Sequence, residues 1–166
     1  GYNRTAVIWG ALDPDTDVLY LTTELYQAES TPQNIAIGVR ARGEWIPGIG
    51  DAAATTRDGD QVIQLYQANG LNLVLADKEV EAGIYDVWMR LSTGRLKVFS
   101  TCSNWLWERQ RYHRDEKGKI VKRNDHLMDA TRYLCRPKGI ARMIAKPVQS
   151  IIGQGGGAVG DRRMGY

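Results

Sequence analysis

Strand-like and helical segments alternate along the first 135 residues, and this alternation constrains the fold more than any other sequence feature. Two alternating apolar runs, at 5–10 and 18–22, flank a turn-rich stretch at 13–17 and predict an antiparallel hairpin. Later strand-like runs lie at 44–50, 71–75 and 95–99. Helical segments lie at 32–43, 62–69, 79–91, 103–111 and 124–135. A hairpin followed by this alternation predicts an α/β sandwich with a mixed sheet.

The segment 79–91 carries the clearest helical periodicity. Apolar residues recur there at i, i+4, i+7, i+8 and i+11, namely Val80, Ile84, Val87, Trp88 and Leu91. This spacing places them in one stripe along an amphipathic helix.

The chain length and its composition predict one domain followed by a tail. Its 166 residues amount to a single domain, which we assign to 1–146. The segment 147–166 contains six glycines and few apolar residues, so it is predicted to be a flexible, basic tail. Arg162 and Arg163 leave an interaction peptide as the alternative for this tail.

Cysteine usage and hydropathy indicate the compartment. Cys102 and Cys135 are too few for a disulfide framework or a structural zinc site, so we expect reduced thiols in a cytoplasmic protein. No run approaches the ~18 apolar residues of a membrane span. The first residues lack the layout of a signal peptide, and no P-loop is present.

Charge is divided unevenly along the chain. Residues 1–100 hold 8 Lys/Arg and 13 Asp/Glu, a net charge of −5, whereas residues 101–166 hold 14 and 6, a net charge of +8. The basic part favours a polyanionic partner, of which nucleic acid is the commonest. On charge alone, a solvated basic face without a partner is an equally good interpretation.

A histidine and an aspartate in the last predicted helix are candidate site residues. His126 and Asp129 are three residues apart, so they project from one face of the helix, a position suited to holding a divalent ion. The alternative is a capping arrangement or a solvated face. Asp125, near the helix start, is an accessory candidate, since it also suits the helix dipole.

A further carboxylate follows a predicted strand. Asp51 comes at the carboxyl end of 44–50, where ligands of α/β sheets gather, although a helix N-cap is an equal alternative. Converging carboxylates stay ionised together only around a cation, and hard oxygen ligands favour Mg²⁺ or Mn²⁺. Two such ions, about 4 Å apart, support phosphodiester cleavage, and the basic part would bind the phosphate backbone.

Four segments in order carry a resemblance to a known family. They are Gly-Ile-Gly-Asp at 48–51, the stretch 76–84 with its Ala-Gly-Ile element, Gly-Arg-Leu-Lys-Val at 94–98 and N-D-H-x-x-D-A-x-R-Y at 124–133. Over about residues 1–136 the chain resembles the nuclease domain of the large terminase subunit of tailed bacteriophages. The resemblance implies a ribonuclease-H-like fold, with a mixed sheet flanked by helices. It also implies an endonuclease that cuts concatemeric double-stranded viral DNA during packaging, using two Mg²⁺ or Mn²⁺ ions.

The resemblance also assigns roles to residues. It implies that Asp51 and Asp129 are metal-binding carboxylates and that His126 lies beside the metals. The family's first carboxylate lies two residues before a glycine that Gly1 resembles, so we expect that aspartate upstream of Gly1. Without it, residues 1–166 are expected to bind metal poorly and to cut slowly.

Seven cations are candidates for contacting the DNA backbone, with solubility as the alternative for each. They are Lys78, Arg109, Arg111, Lys117, Lys119, Lys122 and Arg123. Lys117 and Lys119 lie at the tip of a predicted hairpin.

The resemblance further implies a set of partners and a location. The partners are double-stranded DNA, an upstream ATPase domain, the small terminase subunit and the procapsid portal protein, in the host cytoplasm. The alternative functions are a non-catalytic module that docks on the portal and a resolvase-type nuclease on the same fold.

Overall fold

An antiparallel hairpin begins the part of the chain described by the computed structural model, which comprises residues 4–51, 62–77 and 79–144. Strand β1 (Thr5–Asp13) pairs with β2 (Val18–Gln27), as the sequence predicted. The turn between them is closed by Asp13, whose carboxylate accepts hydrogen bonds from the Asp15 N–H (3.0 Å) and the Thr16 hydroxyl (2.6 Å). Asp17 adopts a positive φ of 53° and forms ion pairs with Arg90 and Arg95, so it anchors the turn as well as forming it.

The strands of the described residues form two small sheets. β5 (Leu96–Val98) lies parallel to β2, which gives a mixed sheet of order β1-β2-β5. β3 (Gly48–Gly50) pairs in parallel with β4 (Leu73–Leu75) in a separate two-stranded sheet. The prediction of a buried strand over 44–50 was wrong for 44–47. Trp45 lies in a turn with 70% of its surface exposed, and Pro47 has no N–H to donate to a ladder.

The helices follow the predicted positions, with one addition. They are α1 (Pro32–Arg40), α2 (Val62–Ala68), α3 (Val80–Ser92), α4 (Ser103–Arg111), α5 (His126–Cys135) and α6 (Pro137–Ile144). The sequence predicted no helix after residue 135, whereas α6 begins there at Pro137. Proline is well suited to the first turn of a new helix, where its missing N–H costs no hydrogen bond.

Helix α5 lies at the centre of the packing. It contacts β1, α3, α4 and α6. Its Leu127 is fully buried together with Leu19 and Leu21 of β2. Among the helices of the described ranges, none combines the length and the apolar character needed to cross a bilayer. The predicted domain boundary at 146/147 and the tail 147–166 lie outside the described residues.

Both cysteines are buried as free thiols, which predicts low reactivity. Burial raises the pKa of Cys135 to about 12 and also raises the pKa of Cys102. We expect neither thiol to react with Ellman's reagent in the native protein near pH 8 and both to react after unfolding. Rapid reaction of either thiol in the native state would contradict this burial.

The raised pKa of Cys135 also predicts a pH dependence of stability. Because the folded protein retains this proton where the unfolded chain has released it, the free energy of unfolding falls as the pH rises from about 9 toward 12. Urea unfolding at pH 8 and pH 10 measures the fall. The Cys135→Ala variant is the control, and we expect its stability to decrease less over the same interval.

Candidate metal and nucleic-acid site

The start of α5 determines where the candidate carboxylates lie. Asn124, with φ of 54°, turns the chain, and Asp125 takes the N-cap position without making a capping hydrogen bond. The cap comes instead from Glu108 of α4, whose Oε2 accepts the Leu127 N–H (2.7 Å) and the Met128 N–H (3.3 Å). Glu108 is fully buried. The first turn of α5 is therefore held by a carboxylate from another helix.

Glu108 was not among the predicted functional residues, although the sequence carries one signal for it. It lies between the buried Trp105 and the half-buried Tyr112, so it is an acidic residue on the apolar face of α4. A carboxylate in such a position requires several donors nearby. The spacing alone does not reveal which donors these are.

Both carboxylate oxygens of Asp129 are paired with cations. Its Oδ1 accepts a hydrogen bond from Arg132 Nη2 (2.6 Å), and its Oδ2 lies 3.3 Å from Lys122 Nζ. Lys122 Nζ is also 3.3 Å from Asp125 Oδ2, so one ammonium lies between two carboxylates. Partial burial acts to lower the pKa of Lys122, but the charges of Asp129 and Asp125 outweigh it and raise that pKa. The two carboxylates thus stabilise the charged form of Lys122.

Asp51 is exposed and directly follows β3, at the carboxyl end of that strand. β3 packs against α5. The charges of Asp51 and Asp129 both act on the phenol of Tyr133. Burial, followed by the charges of Asp51 and Asp129, raises the pKa of Tyr133 to about 12. The structure therefore brings both carboxylates near Tyr133. The N-cap alternative for Asp51 depends on residues 52–61, which lie outside the described residues.

His126 is exposed on the first turn of α5 and lies next to a strand. Its ring is tilted against that of Tyr26 of β2, with 6.4 Å between the centroids. Asp129, one turn later, is directed to Lys122 and Arg132. Both residues lie at the N-terminal end of α5, but His126 contacts β2, whereas Asp129 contacts Lys122 and Arg132.

The carboxylate oxygens here are the type of ligand that a hard divalent ion prefers, but the described residues bring too few of them together to hold one. In the ranges that the structure describes, no three His, Cys, Asp or Glu side chains come close enough together to hold a metal ion. The available oxygen donors are Asp51 and Asp129, with Asp125 as an accessory candidate whose Oδ2 is buried and lies 3.3 Å from Lys122 Nζ. Such carboxylates match Mg²⁺ or Mn²⁺, and a further ligand is needed to complete the site.

Five exposed cations lie in the last turn of α4 and in the stretch that leads to α5, and we call them the basic segment. They are Arg109, Arg111, Lys117, Lys119 and Arg123. Within this segment, Asp115 Oδ1 accepts the backbone N–H groups of Lys117 (2.9 Å) and Lys119 (2.8 Å). A bridge between Arg114 and Ile120 closes this loop, as the predicted hairpin required.

The two other predicted DNA contacts differ from the basic segment. Lys122 is engaged with Asp125 and Asp129. Lys78 lies outside the described residues.

The Ala-Gly-Ile element and the D-A-x-R-Y signature meet where α3 crosses α5. Gly83 is buried, and a Cβ at this position would lie 2.7 Å from Arg132 Cδ and closer still to its Cγ. Arg132 is only 3% exposed and holds Asp129 Oδ1. The absence of a side chain at 83 therefore makes room for the arginine that orients Asp129.

Known proteins match this sequence and this fold. The family described as the terminase RNaseH-like domain matches residues 3–136. The large terminase subunit of Salmonella phage P22 is 34% identical over 153 residues, which is 84% of this chain and 31% of that protein. The chain thus spans less than a third of that curated relative.

Solved structures give the same result. The nuclease domain of the P22 large terminase aligns with a TM-score of 0.70 and 29% identity, covering 86% of this chain and 82% of that one. The nuclease domain of the large terminase of bacteriophage SPP1, solved with bound Mn, aligns with a TM-score of 0.62 and 18% identity. That alignment covers 80% of this chain and 78% of the SPP1 domain.

The close approach of α3 to α5 predicts a specific packing defect. We expect Gly83→Ala to lower the free energy of unfolding by about 1–3 kcal/mol, because the new methyl group overlaps the Arg132 side chain. Urea denaturation measures the change. Gly38→Ala in α1 is the matched control, since its Cβ meets only the flexible end of Leu25 at 3.3 Å and alanine favours a helix. A Gly83→Ala protein as stable as the wild type would contradict the tight crossing.

Proposed function

This chain belongs to the terminase RNaseH-like domain family, and on that premise we propose that it is a metal-dependent endonuclease that cleaves double-stranded viral concatemers during genome packaging. Its fold is that of a terminase nuclease domain. One observation carries the proposal: β3, which ends just before Asp51, packs against α5, which carries Asp129, and the charges of both aspartates contribute to the raised pKa of Tyr133. In this proposal, two elements that are distant in sequence supply acidic groups to one site, and the basic segment provides the cations that contact DNA.

Asp51 and Asp129 are proposed to hold Mg²⁺ or Mn²⁺, together with an aspartate upstream of Gly1. The manganese in the SPP1 nuclease domain supports a divalent ion in this fold. Two such ions, when bound, activate water and stabilise the leaving oxygen of the phosphodiester. Asp125, whose carboxylate shares Lys122 with Asp129, is an accessory ligand or a holder of that lysine.

The other residues prepare the carboxylates for this task. Arg132 fixes one oxygen of Asp129, so the remaining oxygen keeps a constant direction. The Lys122 ammonium offsets the repulsion between Asp125 and Asp129 before a metal is bound. Tyr133, with a pKa of about 12, stays neutral near pH 7 and adds no further negative charge. His126 lies at the same helix end, where it can contact a bound strand.

The basic segment is proposed to contact DNA phosphates. Lys117 and Lys119 are carried on a loop whose backbone is fixed by Asp115, so their side chains extend from a defined position. Contacts to phosphates do not read sequence, which suits an enzyme with little sequence preference. Lys78 extends this set by its place in the sequence.

The wider setting is likewise a proposal. Relatives that extend well beyond the length of this chain are large terminase subunits, and one solved large terminase, from a thermophilic bacteriophage, is in complex with ATP-γ-S. We therefore place an ATPase domain upstream of this nuclease. We assign the portal protein and the small terminase subunit as partners, in the cytoplasm of the host during virion assembly.

Neutralising either candidate ligand is expected to slow cleavage strongly. Plasmid nicking in Mn²⁺ is measured for residues 1–166 alone and for a form extended upstream of Gly1. We expect Asp129→Asn and Asp51→Asn to reduce the rate of the extended form by roughly 100-fold or more, because each removes a charged ligand. Asp15→Asn, in the exposed turn between β1 and β2, is the control and should cleave at the wild-type rate. An extended wild type that leaves plasmid intact in every divalent metal would overturn the nuclease proposal.

Removing one lysine of the loop is expected to weaken DNA binding without affecting the metal site. For Lys117→Ala or Lys119→Ala, the slope of log affinity against log salt should decrease by about 0.9, the value for one lost phosphate contact. Fluorescence anisotropy with a labelled duplex in metal-free buffer measures the slope. Lys97→Ala, on β5, is the control. Equal slopes for all three variants and the wild type would exclude this loop from the interface.

A further inference from the structure

We infer that Glu108 is a positioning residue for this nuclease site: its buried carboxylate caps α5 from the neighbouring helix and thereby sets the position of Asp129. The inference rests on the proposed function, because it concerns the geometry of a proposed metal ligand. Glu108 does not touch the site itself. It acts through the first turn of the helix that carries Asp129.

The cap joins three elements through one side chain. Glu108 Oε2 accepts the N–H groups of Leu127 (2.7 Å) and Met128 (3.3 Å), which are the second and third residues of α5. Its Oε1 accepts the hydroxyl of Tyr26 (2.5 Å) from β2. A charged acceptor at these amides makes strong hydrogen bonds and also interacts favourably with the helix dipole. Because Glu108 is fully buried, water does not weaken these interactions.

Helix α5 needs this distant cap because its own N-cap residue is engaged elsewhere. Asp125 has φ of −122° and ψ of 14°, rather than the extended backbone of an ordinary N-cap, and its carboxylate pairs with Lys122. Helix α1 shows the ordinary solution, in which the Thr31 hydroxyl accepts the Asn34 N–H at 3.2 Å. Because Glu108 caps α5, the carboxylate of Asp125 can pair with Lys122 beside Asp129.

The cap affects Asp129 because Asp129 lies in the same first turn of α5 as the capped amides. The Asp129 N–H donates to Asp125 O (2.8 Å) in the same first turn, so a frayed turn would move both aspartates. It would also disturb the Lys122 ammonium between them. The groups that support metal ligands typically change metal affinity about 10- to 100-fold when they are lost.

The chain contains a matched control for this cap. Glu24 of β2 caps α4 in the same manner: its Oε1 accepts the Asn104 N–H (2.8 Å), and its Oε2 accepts the Trp105 N–H (2.9 Å). Helix α4 carries Glu108 but no proposed metal ligand, and Glu108 lies in its second turn, after the two amides that Glu24 caps. Glu24→Gln therefore removes a carboxylate cap of the same kind, whereas Glu108→Gln removes the one that supports Asp129.

The experiment measures Mn²⁺ binding by the electron paramagnetic resonance signal of the free ion, with the form extended upstream of Gly1. We expect Glu108→Gln to weaken Mn²⁺ binding roughly 10-fold and Glu24→Gln to change it less than about twofold. Amide hydrogen exchange at Leu127 and Met128 should accelerate only in Glu108→Gln. If Glu108→Gln fails to fold, Tyr26→Phe removes only the hydroxyl on Oε1 and should weaken binding in the same direction, by a smaller factor.

Two results would overturn the positioning role. One is wild-type Mn²⁺ affinity in Glu108→Gln. The other is an equal loss of affinity in both glutamine variants, which would indicate general loosening of the fold. A wild type that binds no Mn²⁺ at all would be a different failure, because it would remove the proposed metal site and the positioning role with it.

Discussion

A helix that begins inside a protein leaves its first amide N–H groups without partners, and α5 meets this constraint with the carboxylate of Glu108. Much of the described structure depends on that arrangement. The helix crosses the molecule in contact with β1, α3, α4 and α6, and its first turn carries the acidic residues. β2 contributes to two helix starts, since Glu24 caps α4 and Tyr26 binds the carboxylate that caps α5. One strand of the hairpin thus helps to hold the starts of both α4, which carries part of the basic segment, and α5.

The local patterns of the sequence were sufficient for much of the architecture. The hairpin, five of the six described helices and the strand β5 follow from periodicity and turn residues, and the family resemblance predicted the ribonuclease-H-like fold. Two local predictions differed from the structure. Pro137 ends one helix and begins another, and the apolar run before Gly48 lies in a turn because no partner strand extends so far. In both cases the outcome depends on neighbours that local spacing does not reveal.

The candidate site was predictable in its residue types but not in its supporting contacts. Asp51 and Asp129 were identified from a strand end and a helical motif, and the structure places both near Tyr133. Glu108 was missed because its partners are amides 19 and 20 residues away in the chain and a hydroxyl 82 residues away. The role of Lys122 also changed. Sequence alone grouped it with the DNA-contacting cations, whereas in the structure its charge is balanced by Asp125 and Asp129.

The contact between Gly83 and Arg132 has a consequence for how this fold can diversify. The bare backbone of α3 and the long side chain on α5 fill one space, so neither can be exchanged without regard to the other. A lineage that acquires a larger residue at 83 must shorten the residue at 132, and it then needs a new cationic partner for Asp129. These positions are therefore expected to evolve as a linked pair, even though they lie 49 positions apart in the chain.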